Sequence, residues 1–256
     1  MSSEAPDAGL TLTVLIPAYN EAAGLERCVR LVAAQLAELQ VRAEILIVDD
    51  ASRDGTGRIA DALAAEASGP AAPAVDVRVV HHPRNRGLGG GFVTAVAEAR
   101  GEWLILIPAD LAMDLADLRR YLETARDADV VVGVCDVHSD YSPFRLLVHR
   151  ANIALVQTLF GMRERQFQYI SLYRVAALRS MTIDYWRSAF FHAEVLIKAR
   201  ALGYRLVEVD VRYAPRLSGR STGAHAGLIA RTLRDMFHFW LRWITRGPLA
   251  VSRRRG

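Results

Sequence analysis

Apolar residues along this chain follow two alternating patterns. Short continuous apolar runs, such as AEILIVDD at 43–50, are typical of strands buried on both faces of a parallel sheet. Between them, apolar residues recur every three or four positions, which predicts amphipathic helices. Such helices separate five predicted strands, which end near residues 17, 50, 82, 110 and 134. Strands that alternate with helices predict an α/β fold with a mostly parallel sheet and helices on both faces.

The second half of the chain continues this pattern less regularly. We predict helices at 142–161 and 189–203, and strands at 165–174 and 204–213. A polar loop follows, and then a last helix at 228–247. We expect one domain over residues 1–222, followed by an amphipathic helix and a basic tail over residues 223–256.

Composition narrows the class of protein. The chain has 256 residues, of which 52% are hydrophobic and 23% charged, with a net charge of +4. Its two cysteines, Cys28 and Cys135, lack the spacing of a metal site or a disulfide scaffold, which favours a reducing, cytoplasmic setting. Nearly all positive charge is arginine, which suits phosphates. Basic residues are dispersed and no nucleic-acid-binding signature occurs, so we expect no nucleic-acid partner.

The ends of the predicted strands carry the candidate chemistry. In open parallel sheets, ligands bind outside the carboxyl ends of the strands. Residues 17–21, Asp49, Asp50 and Asp110 all stand at such ends. The sequence therefore predicts a ligand site where these residues meet.

A glycine-rich loop, RNRGLGGGF at 84–92, precedes the third predicted helix. It lacks the G-K-[ST] of a P-loop, and Phe92 holds the place of the third glycine in a dinucleotide fingerprint. Two interpretations remain open at this point. The glycines permit a tight turn before the helix, or Arg86 and the helix N-terminus lie near a bound anion.

Several ordered motifs resemble one enzyme family. The segments VLIPAYNEAAGL, EILIVDDASRDGT, NRGLGGGFVTAVAEARGEWLILIPAD and ADVVVGV are similar to the inverting family-two glycosyltransferases with the GT-A fold, a Rossmann-like α/β fold. The chain most resembles the branch containing dolichol-phosphate mannose synthase and bacterial polyprenyl-phosphate glycosyltransferases. The resemblance covers roughly residues 11 to 222. It implies transfer of a sugar from a GDP- or UDP-linked donor to a polyprenyl phosphate, with inversion.

The resemblance also implies roles for individual residues. Asp110 falls on the second acid of the family's D-x-D motif and would hold a divalent cation, Mg²⁺ or Mn²⁺. Residues expected to bind the donor nucleotide are Pro17, Tyr19, Glu21, Asp49, Asp50, Arg86 and Gly87. Residues expected to bind phosphates are Arg145, Arg150, Arg216 and Ser221, of which Arg216 would also take part in catalysis.

The sequence departs from the family pattern at several of these motifs. Pro108 replaces the first acid of D-x-D, Ala112 stands where some members have a metal-contacting Gln, and Cys135 stands where Arg is common. Thr222 replaces a frequent lysine, and residues 166–174 keep only the last two residues of their motif. One Asp with two diphosphate oxygens and water is still sufficient to bind Mg²⁺. A catalytically degenerate domain that binds a nucleotide or a partner remains an alternative.

The acceptor is a second open point. A sugar hydroxyl loses a proton as it attacks and needs a carboxylate base, whereas a lipid phosphate is already anionic. Glu194 is the only plausible base, and a polar residue on a packed helix is the other interpretation of it. The sequence therefore favours a phosphate acceptor over a saccharide or other lipid hydroxyl.

The last predicted helix is amphipathic. It carries an apolar stripe and a second stripe of Arg and His, with Trp240 and Trp243 beside arginines. This pattern favours a helix lying in a membrane interface, as part of a cytoplasmic protein that is peripheral on the inner face of the cell membrane. The alternative is a helix packed on the domain or on a second subunit of a homo-oligomer.

Overall fold

A computed structural model of the chain describes residues 11–67, 75–135, 143–212 and 226–253. Seven strands form one sheet, namely β1 (Thr11–Ala18), β2 (Arg42–Asp49), β3 (Asp76–His81), β4 (Trp103–Leu106), β5 (Val130–Cys135), β6 (Ser171–Arg174) and β7 (Leu206–Val211). Their order across the sheet is β3-β2-β1-β4-β6-β5-β7. β6 runs antiparallel to both of its neighbours, and the other pairs are parallel. The predicted mostly parallel α/β sheet is confirmed.

The strands connect through helices, as predicted. The helices are α1 (Leu25–Glu38), α2 (Thr56–Ala67), α3 (Gly87–Glu98), α4 (Leu118–Thr124), α5 (Pro143–Phe160), α6 (Val175–Arg179), α7 (Phe191–Ala201), α8 (Ala226–Arg246) and α9 (Pro248–Ser252). Two 3₁₀ turns, Leu115–Asp117 and Ala125–Asp127, flank α4.

Two apolar cores lie on opposite faces of the sheet. One contains the buried residues of α1, α2 and α4, and the other those of α3 and α5–α9. The alternation along β1 explains this division, since Leu12, Val14 and Ile16 belong to the first core and Leu15 to the second. Both faces of the central strands are therefore covered, which accounts for their continuous apolar runs.

The segment before α1 turns at Asn20. This residue does not cap the helix, since α1 begins at Leu25 with Gly24 before it and no side-chain cap. Asn20 has a positive φ of 56° and its side-chain oxygen accepts a hydrogen bond from the Arg53 backbone N–H at 2.9 Å. Asn tolerates this left-handed conformation well, so the residue turns the chain at the strand end instead.

Candidate functional site

The predicted strand ends meet at one edge of the sheet. β1, β2 and β4 are neighbours that run in the same direction, so their carboxyl ends bring Pro17, Asp49 and Pro108 to one edge. Tyr19, just beyond β1, is 48% exposed, and Asp110 is partly buried. The carboxyl edge, as we call it below, therefore holds the main acidic and polar candidates together.

Glu21 and Asp110 lie close enough to interact electrostatically. Burial raises the pKa of Glu21 above its usual value, and the negative charges of Asp110 and Asp54 raise it further. The Glu21 backbone N–H donates to Thr56 Oγ1 at 2.8 Å, which fixes the chain at this point. The carboxylate oxygen of Asp110 accepts the Ala112 N–H at 3.2 Å. Two carboxylates of different strand ends thus share one region.

A buried thiol lies behind these two carboxylates. Cys28 of α1 is buried, and its Sγ lies 3.8 Å from the Pro108 carbonyl oxygen. Burial raises the pKa of Cys28 to about 12, with further contributions from the negative charges of Asp110 and Glu21. The thiol therefore stays protonated near neutral pH and acts as an apolar wall of the site.

Asp49 is held by a histidine that the sequence analysis did not single out. The Asp49 carboxylate accepts the Ser52 N–H at 3.1 Å and lies 2.9 Å from His81 Nδ1. Burial of Asp49 raises its pKa, but the hydrogen bonds from Ser52 and His81 outweigh burial and lower the pKa overall. His81 Nε2 lies 3.0 Å from Asp61, and these two acids raise the pKa of His81. Asp49 is therefore a fixed carboxylate at the strand end.

Asp50 organises the glycine-rich loop. Its two carboxylate oxygens accept the backbone N–H groups of Arg86 at 2.8 Å and Gly87 at 2.7 Å. The Nδ1 atom of buried His82 lies 2.6 Å from the same carboxylate, and Gly87 has a positive φ of 72°. Asp50 was expected to bind the donor base or ribose. In this structure it shapes the start of α3, which favours an indirect role.

The signal for both histidines was present in the sequence. β2 and β3 pair in parallel with Asp49 opposite His81. The adjacent acids at the end of one strand thus meet the adjacent histidines, His81 and His82, at the end of the next. Matching the two strand ends in register would have identified the pairs.

The glycines of α3 allow another segment to approach closely. A Cβ atom on Gly89 would lie 2.0 Å from the Trp186 carbonyl oxygen. The Arg86 guanidinium carbon lies 5.2 Å from the centroid of the Trp186 ring, and Arg86 also donates to Thr94 Oγ1 at 3.1 Å. Tight packing against Trp186 therefore explains why residue 89 is a glycine. Arg86, beside this ring, places its positive charge at the carboxyl edge.

Glu194, the carboxylate considered as a catalytic base, is fully buried. It lies 2.6 Å from Nζ of Lys198, which is also fully buried, and accepts the N–H groups of Asp184 at 2.8 Å and Tyr185 at 2.9 Å. A carboxylate with these partners and no exposure is poorly placed to take a proton from a substrate. The structure supports the packing interpretation of Glu194.

The predicted phosphate-binding arginines are less completely described. Arg150 is exposed on α5, and Arg145 belongs to the same helix with its side chain outside the described part. Arg216 and Ser221 lie outside the described residues. Their roles stay predictions.

The side chains at this edge match the ligands of a hard divalent cation only in part. In the described part of the chain, no three His, Cys, Asp or Glu side chains gather as a metal site. The oxygens of Asp110 and the neighbouring Glu21 are nevertheless the ligand type that Mg²⁺ and Mn²⁺ prefer, and a substrate diphosphate commonly completes such sites. These two carboxylates alone would leave most positions around such a cation to other ligands, such as phosphate oxygens or water.

The C-terminal helix packs on the domain with one face. Phe239 is fully buried, and its ring lies 5.4 Å from that of Phe160 in α5. Trp243 contacts the same two rings, and Arg242 donates to the Tyr185 hydroxyl at 3.2 Å. Trp243 was expected to lie in a membrane interface, and its ring contacts are intramolecular instead. An apolar stripe on α8 stays exposed and consists of Leu233, Phe237, Leu241 and Ile244.

The length and apolarity of the helices bear on membrane association. Among the described helices, none is long and apolar enough to cross a bilayer. The exposed stripe of α8 is one apolar surface of the described chain, and Phe144 and Leu147 of α5, which are 64% and 66% exposed, add a second.

Comparison with known proteins supports the resemblance. The family model described as glycosyl transferase family 2 matches residues 13–198. The glycosyltransferase AglD of Haloferax volcanii is 33% identical over 82% of this chain and 34% of its own length. Undecaprenyl-phosphate mannosyltransferase of Micrococcus luteus is 28% identical over 83% of this chain and 87% of its own length. Undecaprenyl-phosphate 4-deoxy-4-formamido-L-arabinose transferase of Pseudomonas aeruginosa is 30% identical over 82% of this chain and 59% of its own length.

The chain is also similar to solved structures. Glucosyl-3-phosphoglycerate synthase of Mycobacterium tuberculosis, in complex with Mn²⁺, UDP and phosphoglyceric acid, matches 92% of this chain and 78% of its own with a TM-score of 0.67. At 19% identity this likeness shows the shared GT-A fold. The chain spans about a third of AglD and most of the Micrococcus relative. The family match and the ordered strand-end residues agree, and the chain belongs to glycosyltransferase family 2.

Proposed function

We propose that this chain moves a sugar, with inversion, from a GDP- or UDP-linked donor to a polyprenyl phosphate. The observation that carries the acceptor class is the buried ion pair of Glu194 with Lys198. A hydroxyl acceptor requires a base, and this carboxylate is occupied, whereas a phosphate acceptor requires none. Two relatives named for transfer to undecaprenyl phosphate add support.

The donor would lie along the carboxyl edge. Asp49, fixed by Ser52 and His81, is placed to accept hydrogen bonds from the nucleoside, beside Pro17 and Tyr19. Asp50 would contribute indirectly, by holding the loop that carries Arg86 and Gly87.

A divalent cation, Mg²⁺ or Mn²⁺, would be held by Asp110 with Glu21 nearby. When bound, such a cation neutralises the charge that develops on the leaving nucleoside diphosphate. Solved relatives of the same fold contain Mn²⁺ or Mg²⁺ together with UDP, which supports the assignment. Arg216 and Ser221, in the segment beyond β7, would add positive charge and a hydroxyl over the phosphates.

The chain would work at the cytoplasmic surface of the membrane. The exposed stripe of α8, with Phe237 and Ile244 each 56% exposed, supports an interfacial position of this helix. A polyprenyl phosphate is itself membrane-bound, so this position would bring the acceptor to the carboxyl edge. The possible homo-oligomer stays a prediction.

The first experiment measures binding of GDP, UDP and their sugar conjugates by calorimetry, with Mg²⁺, with Mn²⁺ and with a chelator. We expect one base to bind selectively and in a metal-dependent manner. Asp110→Asn should weaken this binding at least tenfold, since a lost interaction with a charged group costs about 1.5–3 kcal/mol. Asp114→Asn is the matched control, because Asn keeps the N-cap that Asp114 makes to the Ala116 N–H.

Two results would contradict the proposal at different levels. Full turnover of Asp110→Asn in saturating Mg²⁺ and Mn²⁺ would remove this residue from the metal site. Failure of the wild-type chain to bind any nucleotide or sugar conjugate would favour the degenerate nucleotide- or partner-binding domain instead.

A further inference from the structure

We propose that Arg86, Arg187 and Arg231 form a phosphate-binding site around Trp186, and that this site holds the phosphate of the isoprenyl acceptor. We call these four residues the Trp186 cluster. The inference rests on the proposed function for the identity of the ligand. It adds Arg187 and Arg231, which neither the motifs nor the family resemblance indicated, and it assigns Arg86, expected beside the donor nucleotide, to the acceptor phosphate.

The cluster is organised by one aromatic ring. The guanidinium carbon of Arg187 lies 4.3 Å from the Trp186 ring centroid, and that of Arg86 lies 5.2 Å from it. Arg231 of α8 approaches from a different element, with a guanidinium nitrogen 3.5 Å from the Arg187 carbonyl oxygen. Stacking on an aromatic ring restricts an arginine side chain, so less entropy is lost when it binds an anion.

No acid of the described chain forms an ion pair with the cluster. Within the described residues, none of the three guanidinium groups has a carboxylate within 4.0 Å. Asp184 is close in sequence, but its carboxylate is engaged by Lys198 at 2.8 Å and by Arg242 at 3.5 Å. Three arginines from separate segments thus converge without a counterion from the described chain, which favours an anionic ligand.

The cluster lies at the carboxyl edge of the sheet. α3 follows β3 and α7 precedes β7, and both strands run parallel to β1 within the sheet, so both helices begin at this edge. The N-terminal halves of the two helices are in contact, since the rings of Phe92 and Phe191 lie 5.6 Å apart. The Trp186 carbonyl packs on Gly89 at the same place. The cluster is therefore on the same edge as Asp110.

The surroundings of the cluster suit an amphiphilic ligand. Leu88, next to Gly89 in the first turn of α3, is 46% exposed and offers apolar surface beside the cluster. A free phosphate would make no contact with the apolar surface, whereas an isoprenyl phosphate has both an anionic head and an apolar tail. The ordinary alternative is a surface cation–π stack without a ligand, and the experiment below distinguishes the two.

The test measures binding of farnesyl phosphate, below its aggregation concentration, to the full chain by calorimetry. The double variant Arg187→Gln/Arg231→Gln removes two exposed charges, so the fold should be kept. We expect its dissociation constant for farnesyl phosphate to rise on the order of 100-fold, from two lost charged interactions. Arg126→Gln, an exposed arginine before β5 at the opposite edge, should stay within about twofold of wild type. Binding of GDP and UDP with Mg²⁺ is measured in parallel.

Each remaining outcome has one meaning. Unchanged farnesyl phosphate binding by the double variant overturns the inference, as does loss of nucleotide binding alone, which would assign the arginines to the donor. Loss of binding to phosphatidylglycerol vesicles with farnesyl phosphate binding intact would make the cluster a contact for lipid headgroups, and would also overturn it. If the wild type binds nucleotides but no farnesyl phosphate, the acceptor class itself is wrong.

Discussion

Replacing Glu194 with Gln separates a structural role of this carboxylate from a catalytic one. Both Glu194 and Lys198 are fully buried and 2.6 Å apart. The Glu194 carboxylate accepts from the backbone N–H groups of Asp184 and Tyr185 and from the Lys198 ammonium. A Gln side chain keeps one of the two acceptor oxygens, and its NH₂ group then faces at least one of these donors. The substitution therefore leaves a buried donor unsatisfied and removes the charge that balances the lysine.

The magnitude follows from the partners that remain. Breaking one side of a buried ion pair costs about 3–5 kcal/mol. Asp184 stays 2.8 Å from Lys198 and still compensates part of its charge, so we expect the lower value, about 3 kcal/mol. For a chain of this size, each kcal/mol lowers Tm by roughly 2–4 °C, which predicts a decrease of roughly 6–12 °C.

The assay combines thermal unfolding with single-turnover sugar transfer to an isoprenyl phosphate. Transfer is measured well below the Tm of the variant, where the folded fraction is close to complete. We expect the transfer rate to stay within a few-fold of wild type, because a phosphate acceptor has no proton to lose. The double variant Glu194→Gln/Lys198→Met should recover part of the lost stability, since it removes the uncompensated charge as well.

The opposite pattern would refute this reasoning. If Glu194→Gln keeps the wild-type Tm and loses transfer by 100-fold or more, Glu194 acts as a base. The acceptor would then be a hydroxyl, and the proposed acceptor class would be wrong.

Three further predictions concern packing, pH and the membrane. Gly89→Ala should lower the free energy of unfolding by about 1–3 kcal/mol through overpacking. Gly91→Ala is the control, since its Cβ would lie 3.8 Å from the nearest atoms, and it should raise the free energy of unfolding by up to about 1 kcal/mol. Urea unfolding measures both. The pKa of His81 is raised by its hydrogen bond to Asp49, so its contribution to stability is full below pH 6.5 and is lost as pH rises through the folded-state pKa. The amount by which His81→Gln lowers Tm should therefore shrink from pH 5.5 to 8.5. A difference in Tm that stays constant over this range would contradict the argument. Phe237→Ser should reduce sedimentation with anionic vesicles without lowering Tm, and equal sedimentation would argue against the exposed stripe as the membrane contact.

The sequence was sufficient to predict the first five strands and the edge at which the candidate residues meet. Continuous apolar runs and strand-end acids depend on local chemistry, and both are visible in one chain. The antiparallel strand β6 pairs with β4 and β5 through contacts between residues far apart in sequence, so no local pattern indicated its position. The same limit applies to Trp186, whose partners come from α3 and α8.

Burial of charged residues was the property hardest to predict. Glu194 and Lys198 stand at the i, i+4 spacing of an ordinary exposed helical pair, and only the packing of α7 in the second core shows that both are inaccessible. Asp50 presents a similar case, because the backbone N–H groups that occupy it belong to a loop 36 residues away. In both cases a carboxylate that looked available for chemistry is occupied by structural partners.

The distribution of charge along the carboxyl edge gives the proposed reaction a spatial order. Carboxylates predominate where β1 and β4 end, and the mutual repulsion of Glu21 and Asp110 there would be relieved by a cation that accompanies a diphosphate. Arginines that have no counterion within the described residues predominate where α3 and α7 begin, around Trp186. Two anionic substrates repel each other, so a site that binds both must meet each with its own positive charge. A metal-borne donor at the acidic end and a lipid phosphate at the arginine end satisfy this requirement, and a hydroxyl acceptor would leave the arginines without a purpose in the reaction.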